Sequence, residues 1–381
     1  MKYIILVGDG MADLPLKKLG GKTPLEAAYT PNMDFIARNG ICGMVRTIPK
    51  GLKAGSDVAN MSLFGYDPKK YYTGRGPLEA LSRGIKLGPK DVAFRCNTVK
   101  IKNGKMADYS AGHISTKEAA KLIKLLDRKL GNRDIRFYPG ISYRHLCIIK
   151  NGPIKAKCTP PHDISGKPIK NYVPEGAGAD LLNKLMSDSY CLLSKLDLKA
   201  NMIWLWGQGK APSMPKFSLN GAVITAVDLI KGIGKAIGLK VINVPGATGY
   251  LDTNYIGKAK YALKFLEKGD FIFVHVESPD ESGHEGNIKH KIKAIQDFDR
   301  YVVGTILKGI RKFKNCRVMV LPDHPTPISI MTHTGDPVPF AIYSTAKRFK
   351  GPKGYYEKAI AGSKLKFKSG PDLIKYFFKE P

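Results

Sequence analysis

The sequence predicts an α/β protein: a mostly parallel sheet with helices on both faces, interrupted by an inserted smaller α+β domain. Three observations carry this prediction. Short apolar runs bounded by turn residues recur at 3–8, 202–206, 240–244, 270–276, 316–321 and 339–343. Helical patterns at 222–237, 256–268 and 288–313 fall between several of them, and strands alternating with helices build parallel sheets. Between about 81 and 199 this rhythm breaks.

Taken in chain order, the run YIILVG at 3–8 ends at Gly8-Asp9-Gly10. That turn presents Asp9 at the carboxyl end of a buried strand, where open α/β sheets place their ligand groups. The middle mixes an amphipathic helix at 116–130 with short strands near 92–101 and 145–150, followed by a loop-rich passage at 151–178 containing Pro and Gly. We therefore expect a discontinuous core from 1–80 and 200–381 and an inserted second domain at 81–199. The last thirty residues are Lys-rich but keep enough apolar positions for a terminal helix.

A chain of 381 residues is longer than one hydrophobic core usually organises. Its 43% hydrophobic and 25% charged residues are those of an ordinary globular protein. No apolar stretch approaches the roughly 20 residues that span a bilayer, and the first apolar run is too short for a signal sequence. The expectation is a cytoplasmic protein with no membrane partner. Cysteines at 42, 96, 147, 158, 191 and 316 form no Cys-x-x-Cys pair, which points to reduced thiols. The formal charge of +30 raises nucleic acid and small anions as partners. Only 13 of the 62 basic residues are Arg, and Lys is spread through nearly every segment, whereas nucleic-acid readers concentrate Arg with stacking aromatics. A solvated Lys-rich surface is the simpler reading, and nucleic acid is not the expected partner. No feature of the sequence sets an oligomeric state.

Two motifs fail on spacing. Gly20-Gly21-Lys22-Thr23 resembles the end of a phosphate loop, but position 16, where that loop needs glycine, is Leu. The glycines at 232, 234 and 238 have the wrong last spacing for a dinucleotide fingerprint and lie within a helical pattern.

Four dispersed segments carry the chemistry: Asp9; Ser56-Asp57; Asp280-x-x-x-His284; and Asp323-His324 followed by His333. The four-residue spacing of Asp280 and His284 places carboxylate and imidazole on one side of a helical turn, about 6 Å apart at Cβ. Asp323-His324 leaves the run CRVMVL, and Pro322 and Pro325 supply the turn that lets both side chains reach one place. Carboxylates mixed with imidazoles suit Mn²⁺, Zn²⁺ or Mg²⁺, and two such ions can clamp the attacking and leaving oxygens of a phosphoryl group.

These segments, quoted as Gly8-Asp9-Gly10, Gly55-Ser56-Asp57-Val58-Ala59-Asn60, Pro279-Asp280-x-x-x-His284, Asp323-His324 and His333-Thr334-Gly335-Asp336-Pro337-Val338-Pro339, resemble the metal-site motifs of the alkaline phosphatase superfamily. With Gly74-Arg75-Gly76 following the serine motif, their order most resembles the archaeal-type branch of cofactor-independent phosphoglycerate mutases. The likeness is strong over 1–100 and 270–343 and thin over 102–199. It implies an alkaline-phosphatase-like core. It also implies one metal on Asp280, His284 and His333, and a second on Asp9, Asp323, His324 and the Ser56 oxygen. Ser56 would be the nucleophile, its pKa lowered by coordination, and phosphoserine the intermediate in exchanging 2- and 3-phosphoglycerate. Two divalent ions are expected, Mn²⁺ first with Zn²⁺, Co²⁺ or Mg²⁺ as alternatives, and no bisphosphoglycerate. Arginine forks suit carboxylate and phosphate, so Arg75, Arg83, Arg95 and Arg144 are substrate-binding candidates, with His113, His145 and Lys210 beside them.

Ser62 lies in the apolar stretch MSLFGY and reads as structural; His162 and His290 read as surface residues, and His275 as packing beside the site. Where longer bacterial-type mutases carry a histidine after the nucleophile motif, this chain has Asn60. Two other readings compete: a related phosphotransferase of homoserine-kinase type or a phosphomonoesterase, separable by product analysis, and a non-catalytic basic binding protein. The intact set of ligand-type residues argues against the last.

Overall fold

The computed structural model describes residues 1–196 and 198–379. The chain forms two compact units, Met1–Tyr72 with Met214–Pro381, and Thr73–Ser213. In chain order the strands are β1 Lys2–Gly8, β2 Ile41–Val45, β3 Val92–Lys102, β4 Lys105–Asp108, β5 Ile135–Ile141, β6 Arg144–Ile149, β7 Met202–Gly209, β8 Gly221–Ile224, β9 Lys240–Val241, β10 Phe271–Val276, β11 Cys316–Leu321, β12 Val338–Ser344 and β13 Lys366–Phe367.

The first unit is built on an eight-stranded sheet ordered β13-β2-β12-β11-β1-β10-β8-β9. All neighbours pair parallel except at β12, which runs against both β11 and β2. β1, β10 and β11 are nearly continuous apolar runs because both faces are covered. Ile4, Leu6, Ile272 and Val274 meet the helices Pro31–Arg38, Tyr255–Leu266 and Ile288–Asp297 on one side. On the other, Phe273 stacks on Phe64 at 4.2 Å, just beyond the helix Ser56–Leu63.

The second unit has a five-stranded sheet in which β3 pairs antiparallel with β4, β6 and β7, and β6 with β5. The helices Thr116–Leu130 and Ala179–Leu193 pack on it through Leu122, Ile123, Leu126, Leu182 and Met186. The first of these begins with a capping box, Ser115 with Glu118.

Three sequence expectations are corrected. The run at 202–206 is a strand, but it pairs antiparallel with β3 and is not part of the parallel sheet. A fully buried apolar strand carries no periodicity that tells one sheet type from the other. The stretch 222–237 is not one helix: β8 occupies Gly221–Ile224, and the helix runs only from Asp228 to Ala236. The segment 288–313 is helical through Lys312, but it widens into a π-helical turn at Phe298–Val303. Among the described residues no helix is long and apolar enough to cross a membrane.

Candidate active site

β1 lies between β10 and β11, all parallel, so the residues following their carboxyl ends converge. Asp9 follows β1 directly, Asp280 and His284 sit on the short helix Ser278–His284 after β10, and Asp323 and His324 follow β11. Ser56 heads the helix Ser56–Leu63. The turn after β1 demands glycine: Gly10 has φ +59°, and a Cβ there would lie 2.5 Å from both Asp280 Oδ1 and Thr326 Oγ1.

Two groups of side chains adjoin. In the first, Asp280 lies 3.3 Å from His284 Nε2 through one oxygen and 3.4 Å from His333 Nε2 through the other. The two imidazole nitrogens are 2.9 Å apart. In the second, Ser56 Oγ stands 3.5 Å from both Asp9 oxygens and 3.0 Å from His324 Nε2. His324 Nε2 is also 3.5 Å from Asp9 Oδ1 and 3.6 Å from Asp323 Oδ2. The expected ligand residues are thus brought together in both sets.

These spacings fit a cation. Ligands about 2.1 Å from a tetrahedral ion lie about 3.4 Å from one another, close to the separations here. Neighbouring groups orient the donors as metal sites require. His284 Nδ1 faces Met331 O at 3.0 Å, which directs its Nε2 lone pair towards Asp280 and His333. His324 Nδ1 lies 3.2 Å from Thr326 Oγ1, whose hydroxyl donates to Asp280. Asp323 accepts from Gly10 N at 3.1 Å, His324 N at 2.9 Å and Asn60 Nδ2 at 2.7 Å.

The electrostatics point the same way. Burial, then the Asp323 and Asp280 charges, push the Asp9 carboxyl well above its ordinary range. A bound cation would relieve that cost. Burial acts to raise Asp280, but bonds to His284 and His333 outweigh it and hold the carboxyl well below the usual value. Burial pulls His324 down to about 4, keeping a neutral, donor-ready imidazole.

Sequence reasoning placed His275 beside the site but missed what holds it. His275 is fully buried, with Nε2 3.2 Å from Asp9 Oδ2 and Nδ1 3.3 Å from Glu277 Oε1. Asp9, His275 and Asp323 form a further group with ligand geometry. Glu277 also accepts from Lys258 Nζ at 2.6 Å, Thr225 Oγ1 at 2.8 Å and Ala226 N at 2.6 Å. The available signal was a Lys inside an apolar helix and a Glu three residues before Asp280.

The substrate-binding candidates all lie in the second unit, and they divide. Arg95 pairs with Glu79 at 3.0 Å and lies 4.6 Å from the Trp206 ring, with Arg75 5.9 Å from the same ring. Burial, followed by the partly opposing effects of Glu79 and of Arg75 and Arg144, lowers the Arg95 pKa. Arg144 packs on Tyr143, whose ring also meets His113. Arg75, Arg95 and Arg144 therefore form a cationic group lined by aromatic rings. Arg83 and His145 meet the backbone of the β5–β6 turn. The Arg83 guanidinium donates to the carbonyls of Pro139 and Arg144, bracing the β5–β6 turn. His145 is fully buried, its Nδ1 accepting from Gly140 N at 2.9 Å, and burial with the Arg83 charge holds it down at about 3. Lys210 is exposed, and its carbonyl accepts from Thr73. His162 is exposed and meets the Trp206 ring edge-on, and His290 is half-buried beside Glu285.

Fold and site together define an α/β enzyme whose chemistry is built from carboxylate, imidazole and hydroxyl groups at the carboxyl edge of a parallel sheet. Comparison with known proteins makes this specific. The family model described as 2,3-bisphosphoglycerate-independent phosphoglycerate mutase matches residues 37–198. A protein of that name from Methanosarcina barkeri is 53% identical, covering 98% of each chain. One from Methanothermobacter thermautotrophicus is 53% identical over 96% of this chain and 94% of its own. Among solved structures, one from Pyrococcus horikoshii superposes with a TM-score of 0.82 at 30% identity, covering 99% of this chain and 96% of the other. The cofactor-independent phosphoglycerate mutase of Thermoplasma acidophilum does so at 0.66 and 27%, covering 99% of each chain. The chain belongs to the 2,3-bisphosphoglycerate-independent phosphoglycerate mutase family.

Proposed function

We propose that this enzyme interconverts 2-phosphoglycerate and 3-phosphoglycerate without bisphosphoglycerate, in the cytoplasm, with Ser56 carrying the phosphoryl group between the two positions. The observation that carries the reading is the Ser56 hydroxyl 3.0 Å from His324 Nε2 and 3.5 Å from Asp9, at the amino end of a helix. In the first transfer a bond forms between Ser56 Oγ and phosphorus and the bond from phosphorus to the 3-oxygen breaks. The serine proton ends on the glycerate oxygen that leaves. In the second, a bond forms between the 2-oxygen of the retained glycerate and phosphorus as the bond from phosphorus to Ser56 Oγ breaks, and the 2-hydroxyl proton ends on Ser56.

Asp280, His284 and His333 would hold one divalent ion, and Asp9, Asp323 and His324 with the serine oxygen a second. Mn²⁺ is our first assignment, because mixed oxygen and nitrogen donors suit it. When bound, such ions lower the serine pKa and neutralise charge on the transferring phosphoryl group. The chain's own residues orient these groups: Asn60 fixes Asp323, Thr326 links Asp280 to His324, and Met331 O sets the His284 tautomer. Arg75, Arg95 and Arg144 are assigned to the substrate carboxylate, because the two parallel N–H donors of a guanidinium fork match the two oxygens of a carboxylate.

The test follows metal-loaded protein with 3-phosphoglycerate by phosphorus NMR. We expect 2-phosphoglycerate without free phosphate, and loss of at least 10³-fold in rate for Ser56→Ala, the order seen when a nucleophile is removed. Free phosphate as the main product would replace this reading with a phosphomonoesterase.

A further inference from the structure

Away from the catalytic residues, the first unit carries a cleft of about 850 Å³. That size lies within the range of small-molecule pockets and far exceeds what a single inorganic anion fills. Its floor is apolar, with Met44, Pro49, Pro68, Phe367 and Pro371. Its walls carry Arg46, Lys50, Lys69, Lys366, Lys368 and Lys375. These come from separate parts of the chain: the end of β2 with the loop beyond it, the helix Pro68–Tyr71, and the β13 region running into the helix Gly370–Phe378.

None of the five lysines has an ion-pair partner among the described residues. The two acids in the lining are engaged locally. Asp67 accepts from Lys69 N at 2.9 Å, and Asp372 from Ser369 Oγ at 2.6 Å. Like charges gathered around an apolar floor repel one another, and an occupant bringing negative charge relieves that repulsion. Phe367 offers a ring held by Phe340 at 5.6 Å and Tyr376 at 5.3 Å.

We propose that this cleft binds a nucleoside polyphosphate, its base on the Phe367 side of the floor and its phosphates on the lysines. The cleft is separate from the transfer chemistry, since none of the seven proposed ligand and nucleophile residues lines it. It nevertheless touches the loop that carries one of them. Arg46 donates to the carbonyl of Gly335, two residues beyond His333, and Pro337 lines the cleft.

Titration calorimetry on the full chain at physiological salt tests this, with adenosine triphosphate as the probe and inorganic triphosphate and phosphate beside it. We expect saturable one-site binding of the nucleotide, and inorganic triphosphate weaker by about tenfold because the stacked base is missing. The triple variant Lys366→Glu, Lys368→Glu, Lys375→Glu should lose at least tenfold. A charge-matched triple at Lys117, Lys121 and Lys124 on the helix Thr116–Leu130 should bind like the parent. Phe367→Leu should weaken the nucleotide several-fold and leave triphosphate unchanged, which keeps the test informative if the triple variant folds poorly. Absence of saturable binding, equal loss in both triples, or equal affinity for nucleotide and triphosphate overturns the proposal.

Discussion

At the residue scale, one amide links nucleophile and ligand. Asn60 Nδ2 donates 2.7 Å to Asp323 Oδ2 and 2.8 Å to Ser56 O. Removing an oriented partner of a ligand typically costs 10–100-fold in metal affinity, so Asn60→Ala should show about that loss in a metal titration with an unchanged circular dichroism spectrum. An unaltered affinity would reduce Asn60 to a packing residue. Asp9, Ser56, Asp280, His284, Asp323, His324 and His333 were singled out in the sequence as a set, through the family resemblance of the motifs that carry them, since Asp9 or Ser56 alone reads as an ordinary turn residue; the structure brings their side chains close together. His275 was read only as packing beside the site, because its partner Asp9 lies far along the chain, and the Lys258–Glu277 pair joins a helix to a strand end, so it shows only once both elements are in place. Arg83 and His145 share residue type with anion binders, and only the carbonyls and the N–H they meet in space assign them to the β5–β6 turn.

At the scale of elements, charged residues hold loops and helix ends in register. Lys291, fully buried, donates to Asp13 Oδ2 at 2.7 Å and Thr326 O at 2.7 Å, and reaches Ala12 O at 3.3 Å. It ties the loop after β1 to the loop after β11. Breaking a buried pair by removing one partner costs about 3–5 kcal/mol, so Lys291→Met should lower urea stability by that order. Asp299, from the π-helical turn, accepts from Asn32 N at 3.2 Å and Met33 N at 2.6 Å, capping the helix Pro31–Arg38 from outside its own sequence. Burial raises its carboxyl from 3.8 to about 6. A raised acid favours the folded state most when protonated, so this stabilisation is full below pH 3.8 and is lost as pH rises to about 6. Urea melts across that window should show the contribution in the parent and its absence in Asp299→Asn. Equal slopes would remove the assignment. The π-helical turn itself was illegible, since 288–313 reads as one helix by periodicity and a single widened turn shifts the apolar face only slightly.

At the scale of the whole molecule, residues 73–213 have a hydrophobic core drawn almost wholly from their own sheet and helices. We expect this segment, expressed alone, to unfold cooperatively in urea with dispersed amide resonances; a collapsed or aggregated fragment would show that it depends on the rest of the chain. The parallel sheet was readable from alternating strands and helices, but the side on which 202–206 pairs was not, because pairing partners are set by contacts far along the chain. The same long-range pairing has a consequence for biosynthesis. β1 is made long before its sheet neighbours, which begin at Phe271 and Cys316, with Lys2 opposite Cys316. At about 5–20 residues per second on the ribosome, Ile4-Ile5-Leu6-Val7 waits on the order of 15–60 s for those partners, an exposed apolar segment that nascent-chain chaperones would have reason to cover.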